Sequence, residues 1–91
     1  MFINLVEVDT SGDRYRLREI IINTDSIMSI TEEQPTQRMV QESANMGMSP
    51  HASYSRLVLK DSYGGDRLKL VVGSPKTISL KINNEKRILK G

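Results

Sequence analysis

The order of apolar and polar residues predicts a β-hairpin at the start of the chain. Two runs rich in β-branched residues, FINLVEV (residues 2–8) and RYRLREIII (residues 14–22), flank the turn-forming segment DTSGD. Alternating apolar and polar positions are typical of strands, and Gly12 can adopt the positive φ that a tight turn needs. We therefore expect residues 2–22 to form two paired strands.

Four small polar residues then interrupt the apolar pattern. Three consecutive isoleucines (residues 20–22) precede NTDS (residues 23–26), and the pattern resumes in SIMSI (residues 26–30). Asn and Asp side chains bond to nearby backbone groups and favour turns over strand interiors. The segment is predicted to be a sharp corner between two strands. The second strand is expected to end near Pro35, because proline lacks the N–H that pairing needs.

A second hairpin is predicted further along the chain. Residues 54–61 and 66–72 alternate apolar and cationic side chains on either side of the glycine-containing loop SYGGD. Because side chains alternate along a strand, Leu57 and Leu59 share one face of the first strand, opposite Arg56. Residues 54–72 thus give the clearest strand signal in the chain.

The C-terminal segment allows two interpretations. TISLKIN alternates as a strand would, whereas Ser74 followed by Pro75 is a typical helix start. In a helix, Ile78, Ile82 and Leu89 would lie on one face, and the basic residues near the end would complement the helix dipole. We favour the helix.

Residues 33–53 lack a clear pattern and include three methionines and two prolines. Loops of this length are either functional or disordered. We predict a flexible insertion, with a lid as the alternative, and a short helix over residues 36–45. Methionine-rich surfaces also serve in partner binding.

These elements predict an α+β fold in a single small domain over residues 1–91. Its sheet would be bent and antiparallel, with four to five strands in two hairpins, and a C-terminal helix would close it. Only 37% of the residues are apolar and Trp is absent. Such a thin core favours extra burial through self-association, so we expect a homo-oligomer.

The composition argues against catalysis and metal binding. The chain has no Cys, and His51 is its one histidine, so cysteine nucleophiles, thiolate metal sites and paired histidine ligands are excluded. We expect no cofactor, no catalytic residues and no enzymatic activity. No apolar run has the length of a membrane span, and we expect a cytoplasmic protein with no membrane partner.

The charge distribution suggests an anionic ligand. The formal net charge is +2, which is small for a nucleic-acid-binding protein, so nucleic acid is an unlikely partner. If the strands are neighbours, their cations would form one cationic sheet face opposite an apolar face. A solvated face laced with Glu7, Asp9 and Glu19 is the alternative. The cations of this predicted face are Arg14, Arg16, Arg18, Arg56, Lys60, Arg67 and Lys69.

A second candidate for anion binding is the start of the C-terminal helix. The segment GSPKT would place backbone N–H groups, the hydroxyls of Ser74 and Thr77 and the ammonium of Lys76 around one helix N-terminus. The alternative is an ordinary helix cap with a neighbouring lysine. No G-x-x-x-x-G-K-[ST] phosphate loop is present.

The segment INTDSIMSI resembles the Asn-x-Asp-x-Ile-x-x-Ile signature of the small FlbD-like family. LVLKDSYGGDRLKLVVGSPKTISLKI is similar to the second half of that family, and the resemblance covers residues 2–32 and 56–82. It implies the same order of strand, corner, hairpin and closing helix. The family is associated with flagellar operons and swarming motility and has no established catalytic site. Related small proteins occur in phage genomes.

Two functional hypotheses follow. The first is a non-catalytic, self-associating binding or adaptor module. The second is a phage-encoded sponge that sequesters a small phosphorylated ligand, such as a nucleotide signal, in the host cytoplasm as an anti-defence protein. Nucleic-acid binding is the weaker alternative.

Overall fold

A computed structural model describes residues 1–10, 14–60 and 66–90, and their side chains except those of residues 66 and 85–90. It confirms an α+β fold with a five-stranded antiparallel sheet and a C-terminal helix. The central residues of the predicted turns DTSGD and SYGGD lie outside the described residues. The strands are β1 (Phe2–Asp9), β2 (Arg16–Asn23), β3 (Ile27–Glu33), β4 (Tyr54–Lys60) and β5 (Asp66–Val72). The helices are α1 (Gln37–Gln41) and α2 (Pro75–Lys90).

The strand order is β2-β1-β5-β4-β3, so β2 and β3 form the two edges of the sheet. β1 pairs with β2 along its whole length, from Phe2 opposite Asn23 to Asp9 opposite Arg16. β4 pairs equally fully with β5 and β3 pairs with β4. The β2–β1 pair and the three strands β5, β4 and β3 meet where Glu7 of β1 lies opposite Val71 of β5.

The predicted corner is confirmed as a 3-10 turn over Thr24–Ser26 that joins the two edge strands β2 and β3. The Asn23 side chain accepts a hydrogen bond from the Asp25 backbone N–H at 3.1 Å, and the Ser26 hydroxyl donates to the Asn23 carbonyl at 2.9 Å. The Thr24 backbone N–H also donates to the Met1 carbonyl at 2.8 Å. The small polar residues thus satisfy the backbone groups that leave the strand pairing.

One face of the sheet packs against α2. We call its buried residues the helix cluster, defined as Ile3, Leu5, Ile22, Leu57, Leu59, Val71 and Ile78. Ile78 of α2 is 2% exposed, and Ile82, one helical turn later, packs against the same residues. The predicted apolar face of the helix is therefore confirmed for these two isoleucines, whereas the Leu89 side chain lies outside the described residues.

The opposite face of the sheet packs against residues 33–53. The insertion cluster consists of Val8, Met39, Met46 and Tyr54, with Leu17, Leu70 and Val72 partly buried beside it. A helix is present where one was predicted over residues 36–45, but it is shorter: α1 covers Gln37–Gln41. It begins where the Thr36 hydroxyl accepts a hydrogen bond from the Met39 N–H at 3.2 Å. The predicted flexibility of the insertion stays a prediction.

The prediction of one cationic and one apolar sheet face is wrong. The register places Leu57 of β4 opposite Lys69 of β5, and Leu59 opposite Arg67. Alternation fixes the faces within each strand, but the register decides which faces of neighbouring strands coincide. Arg67 and Lys69 therefore share a face with Leu57 and Leu59 of β4, while Arg56 and Lys60 belong to the opposite face.

Candidate anion-binding site

A groove of about 440 Å³ opens beside the corner that joins β2 to β3. Its apolar wall comes from the isoleucines of β2 and from Leu59 of β4, and its polar residues are those of the corner. Three cations from β4 and β5 complete the lining. The described lining residues are Ile20, Ile21, Ile22, Asn23, Ser26, Leu59, Lys60, Arg67 and Lys69.

The lining contains three cations and no carboxylate among its described residues. Lys60 and Arg67 are exposed, and Lys60 forms no ion pair within the part of the chain that the structure describes. Lys69 is half-buried, and its Nζ lies 2.9 Å from Glu7 Oε2. No described lining residue offsets these cations, although Glu7, which does not line the groove, compensates the charge of Lys69.

Glu7 holds the deepest of these cations in place. Its side chain is 8% exposed and accepts hydrogen bonds from Arg18 on β2 and Lys69 on β5. Burial alone raises the pKa of Glu7, but the hydrogen bonds and charges of Lys69 and Arg18 outweigh it, so the pKa lies below its usual value of 4.5. Glu7 is therefore an ionised bridge across three strands.

The lowered pKa of Glu7 predicts a pH-dependent contribution to stability. A carboxyl whose pKa is lower in the folded state stabilises fully above its unfolded-state pKa, and this effect is lost as the pH falls through the folded-state pKa. We expect Glu7→Gln to lower the free energy of unfolding at neutral pH by about 1–3 kcal/mol. Urea unfolding at neutral pH and at a pH below 4.5 would show a smaller acid-induced loss in the variant.

Asp9→Asn is the matched control for Glu7→Gln. Asp9 accepts from Arg16 at 3.2 Å, but the Arg16 side chain is 65% exposed, so the change should cost less than about 1 kcal/mol. If Glu7→Gln kept the full pH dependence of the parent chain, Glu7 would not be the titrating group.

The structure brings only part of the predicted cation set together. Lys60, Arg67 and Lys69 line the groove, and Arg18 lies behind it on Glu7. Arg56 is paired with Glu33 at 2.6 Å on the opposite face of the sheet. The remaining two predicted residues, Arg14 and Arg16, line a different cavity.

The three predicted residues at the start of α2 form a helix cap away from the groove. The Ser74 hydroxyl accepts from the Thr77 N–H at 3.2 Å and lies 2.9 Å from the Thr77 hydroxyl. Lys76 is exposed, and none of the three lines the groove. Gly73, with φ at 116°, lets the chain turn from β5 into this cap. The arrangement is that of an ordinary N-cap.

Several groove residues were not predicted as site residues. Ile20 and Leu59 read as core positions, and Asn23 and Ser26 read as turn residues with a structural role. Asn23 and Ser26 could have been identified if the strand order had been known, because a corner that joins two edge strands places its polar side chains beside both edges. The sequence does not show that these strands are edges.

The described residues contain no group of three or more His, Cys, Asp or Glu side chains that could hold a metal ion. His51 is exposed beside Pro50 and Ala52 at the end of the insertion. Among the described helices, none is long and apolar enough to cross a membrane.

Comparison with known proteins adds no relative to these observations. No family model, curated protein or solved structure matches the chain.

Proposed function

We propose that this chain is a non-catalytic binding module that holds a small phosphorylated molecule in the groove. The observation that carries the proposal is the lining of Lys60, Arg67 and Lys69 without a carboxylate among the described lining residues. Phosphate oxygens accept strong charge-assisted hydrogen bonds from guanidinium and ammonium groups. The isoleucines and Leu59 of the lining suit the less polar part of such a ligand.

The sponge hypothesis uses the same groove and names a nucleotide signal as the ligand. A groove of about 440 Å³ falls in the size range of small-ligand pockets. Asn23 and Ser26 would supply hydrogen bonds to the sugar or base. The groove has no aromatic residue among its described lining residues, so the ligand would be held by charge and apolar contact rather than by ring stacking.

Calorimetry with AMP, glucose 6-phosphate and inorganic phosphate tests the proposal. We expect at least one of these to bind, and binding to weaken as the salt concentration rises. Losing one charge-assisted hydrogen bond costs about 1.5–3 kcal/mol, so Lys60→Gln and Arg67→Gln should each weaken binding by about 10–100-fold.

Arg56→Gln is the control for the groove variants. Arg56 belongs to the same strand as Lys60 but is engaged with Glu33 and does not line the groove. Its replacement should leave the affinity unchanged. Equal losses in all three variants would point to non-specific attraction, and the absence of heat with every probe would overturn the proposal.

The predicted bend of the sheet also belongs to the proposal, because it would close the groove. The edge strands β2 and β3 are joined through the three residues of the 3-10 turn. Four strand spacings in a flat sheet amount to about 19 Å, whereas four virtual Cα–Cα bonds reach at most about 15 Å. This difference supports a curled sheet whose edges approach each other beside the groove.

Self-association is the second candidate function, and exposed apolar residues favour it. Phe2 is 65% and Ile21 is 71% exposed, and both belong to the β1–β2 half of the sheet. β2 is also an edge strand, with no strand beside it on its outer side in the described sheet. A second copy could cover these side chains, as expected for a homo-oligomer with a thin core.

Sedimentation equilibrium at micromolar concentration tests this candidate. We expect the parent chain to form a dimer or larger ring and Ile21→Lys to dissociate it. Leu68→Lys is the control, since Leu68 is 65% exposed but belongs to β5. A monomeric parent chain would contradict self-association.

A further inference from the structure

A second polar cavity, of about 690 Å³, lies where the start of β2 meets the insertion. Its described lining residues are Arg14, Tyr15, Arg16, Glu42 and Asn45, and none of them lines the groove. We call it the arginine cavity. It combines two guanidinium groups with a carboxylate and an amide, so both strong donors and strong acceptors line it.

The cationic side is accessible and partly unpaired. Arg14 is exposed and forms no ion pair or hydrogen bond with the residues that the structure describes. Arg16 bonds to Asp9 through its Nε at 3.2 Å, and its side chain is 65% exposed. Its terminal nitrogens can therefore still donate. Two guanidinium groups with such donors match the oxygens of a phosphoryl group.

The aromatic residue between the two arginines is held in position. The Arg38 guanidinium lies over the Tyr15 ring, with 5.3 Å between Cζ and the ring centroid. Arg38 also pairs with Glu42, from Nε to Oε2, at 3.4 Å. These contacts tie the residue before β2 to α1, and Tyr15 and Glu42 line the cavity.

The acceptor side lacks a hydrogen-bond donor. Glu42 Oε2 is buried and has no hydrogen-bond partner among the described residues, although Arg38 Nε forms an ion pair with it at 3.4 Å. A buried acceptor atom without a hydrogen-bond donor lowers the stability of the folded state. Rotation of the carboxylate about its last side-chain bond is easy, so a donor in the cavity could satisfy it. The Asn45 side chain lies on the same cavity and can also accept.

We propose that the arginine cavity binds a small phosphate monoester that also carries an amino group. The phosphate would lie between Arg14 and Arg16, and the ammonium group would donate to Glu42 and Asn45. The amino group would decide selectivity, because it supplies the donor for these two acceptors. The proposal does not rest on the groove, because the two sites share no described lining residue.

Calorimetry with phosphoethanolamine and ethyl phosphate tests this proposal, because the two probes differ by the amino group. We expect phosphoethanolamine to bind at least about tenfold more tightly, which corresponds to about 1.4 kcal/mol. Glu42→Gln should remove this preference, and Arg14→Gln should weaken both probes. Lys60→Gln, which alters the groove alone, should change neither.

Glu42 also pairs with Arg38, so Glu42→Gln could change the fold as well as the binding. A second variant therefore tests the preference without altering this ion pair. Asn45 is exposed, and Asn45→Ala should reduce the preference for phosphoethanolamine without changing the thermal midpoint. Equal binding of the two probes, an equal loss in Lys60→Gln, or no binding of either probe would overturn the proposal. A preference that survives in both Glu42→Gln and Asn45→Ala would overturn it as well.

Discussion

Ile78→Ala is expected to lower the free energy of unfolding by about 2–5 kcal/mol, the range for removing a large aliphatic side chain from a packed core. Ile78 is 2% exposed and joins α2 to the helix cluster. Among the described residues of α2, it is the one that is fully buried. The cavity left by alanine would lie between the helix and the sheet. Urea unfolding followed by circular dichroism measures the change.

Leu80→Ala is the matched control on the same helix. Leu80 is 52% exposed, and a change at an exposed site should stay within about 0.5 kcal/mol. Equal effects of Ile78→Ala and Leu80→Ala would contradict the observed orientation of α2. They would also revive the alternative interpretation of this segment as a strand.

Met39→Ala is the second change with a large expected effect. Met39 is 3% exposed and belongs to the insertion cluster with Val8 and Tyr54. If the insertion is packed against the sheet in solution, the loss should again be about 2–5 kcal/mol. If the insertion moves freely, the side chain contributes little. The measurement therefore tests the predicted flexibility directly.

Val40→Ala is the control for Met39→Ala, because Val40 is the next residue and is 40% exposed. Limited proteolysis adds an independent measurement, since cleavage within residues 33–53 reports local opening. Rapid cleavage of the parent chain together with a small effect of Met39→Ala would show that the insertion is mobile. Slow cleavage that becomes rapid in Met39→Ala would show that the methionine holds it.

The sequence was informative wherever the structure depends on local chemistry. Alternation located the strands, with β4 and β5 found within one residue of their predicted bounds. The side chains of Asn23 and Ser26 form the corner hydrogen bonds that small polar residues favour. Ser74 and Pro75 begin α2. Each of these features is decided by residues a few positions apart.

The candidate site could not be predicted to the same extent, because it depends on register and strand order. No pattern among neighbouring residues in the sequence indicates that Leu57 lies opposite Lys69 or that β2 and β3 are the sheet edges. Hence Lys60, Arg67 and Lys69 were predicted as part of a broad cationic face, and the structure gathers them in a groove. Arg56 is separated from Arg67 and Lys69 because the register places it on the opposite face of the sheet, and from Lys60 because Lys60 is the last residue of β4.

The meeting of β1 and β5 has a mechanical consequence. Within the described strands, the register gives these two neighbours one residue pair, Glu7 opposite Val71, whereas the other strand pairs share longer ladders. Side-chain packing within the helix cluster, for example of Leu5 and Val71, and the Glu7–Lys69 ion pair must therefore hold β1 and β5 together. A pulling force across the sheet would part it along this line first.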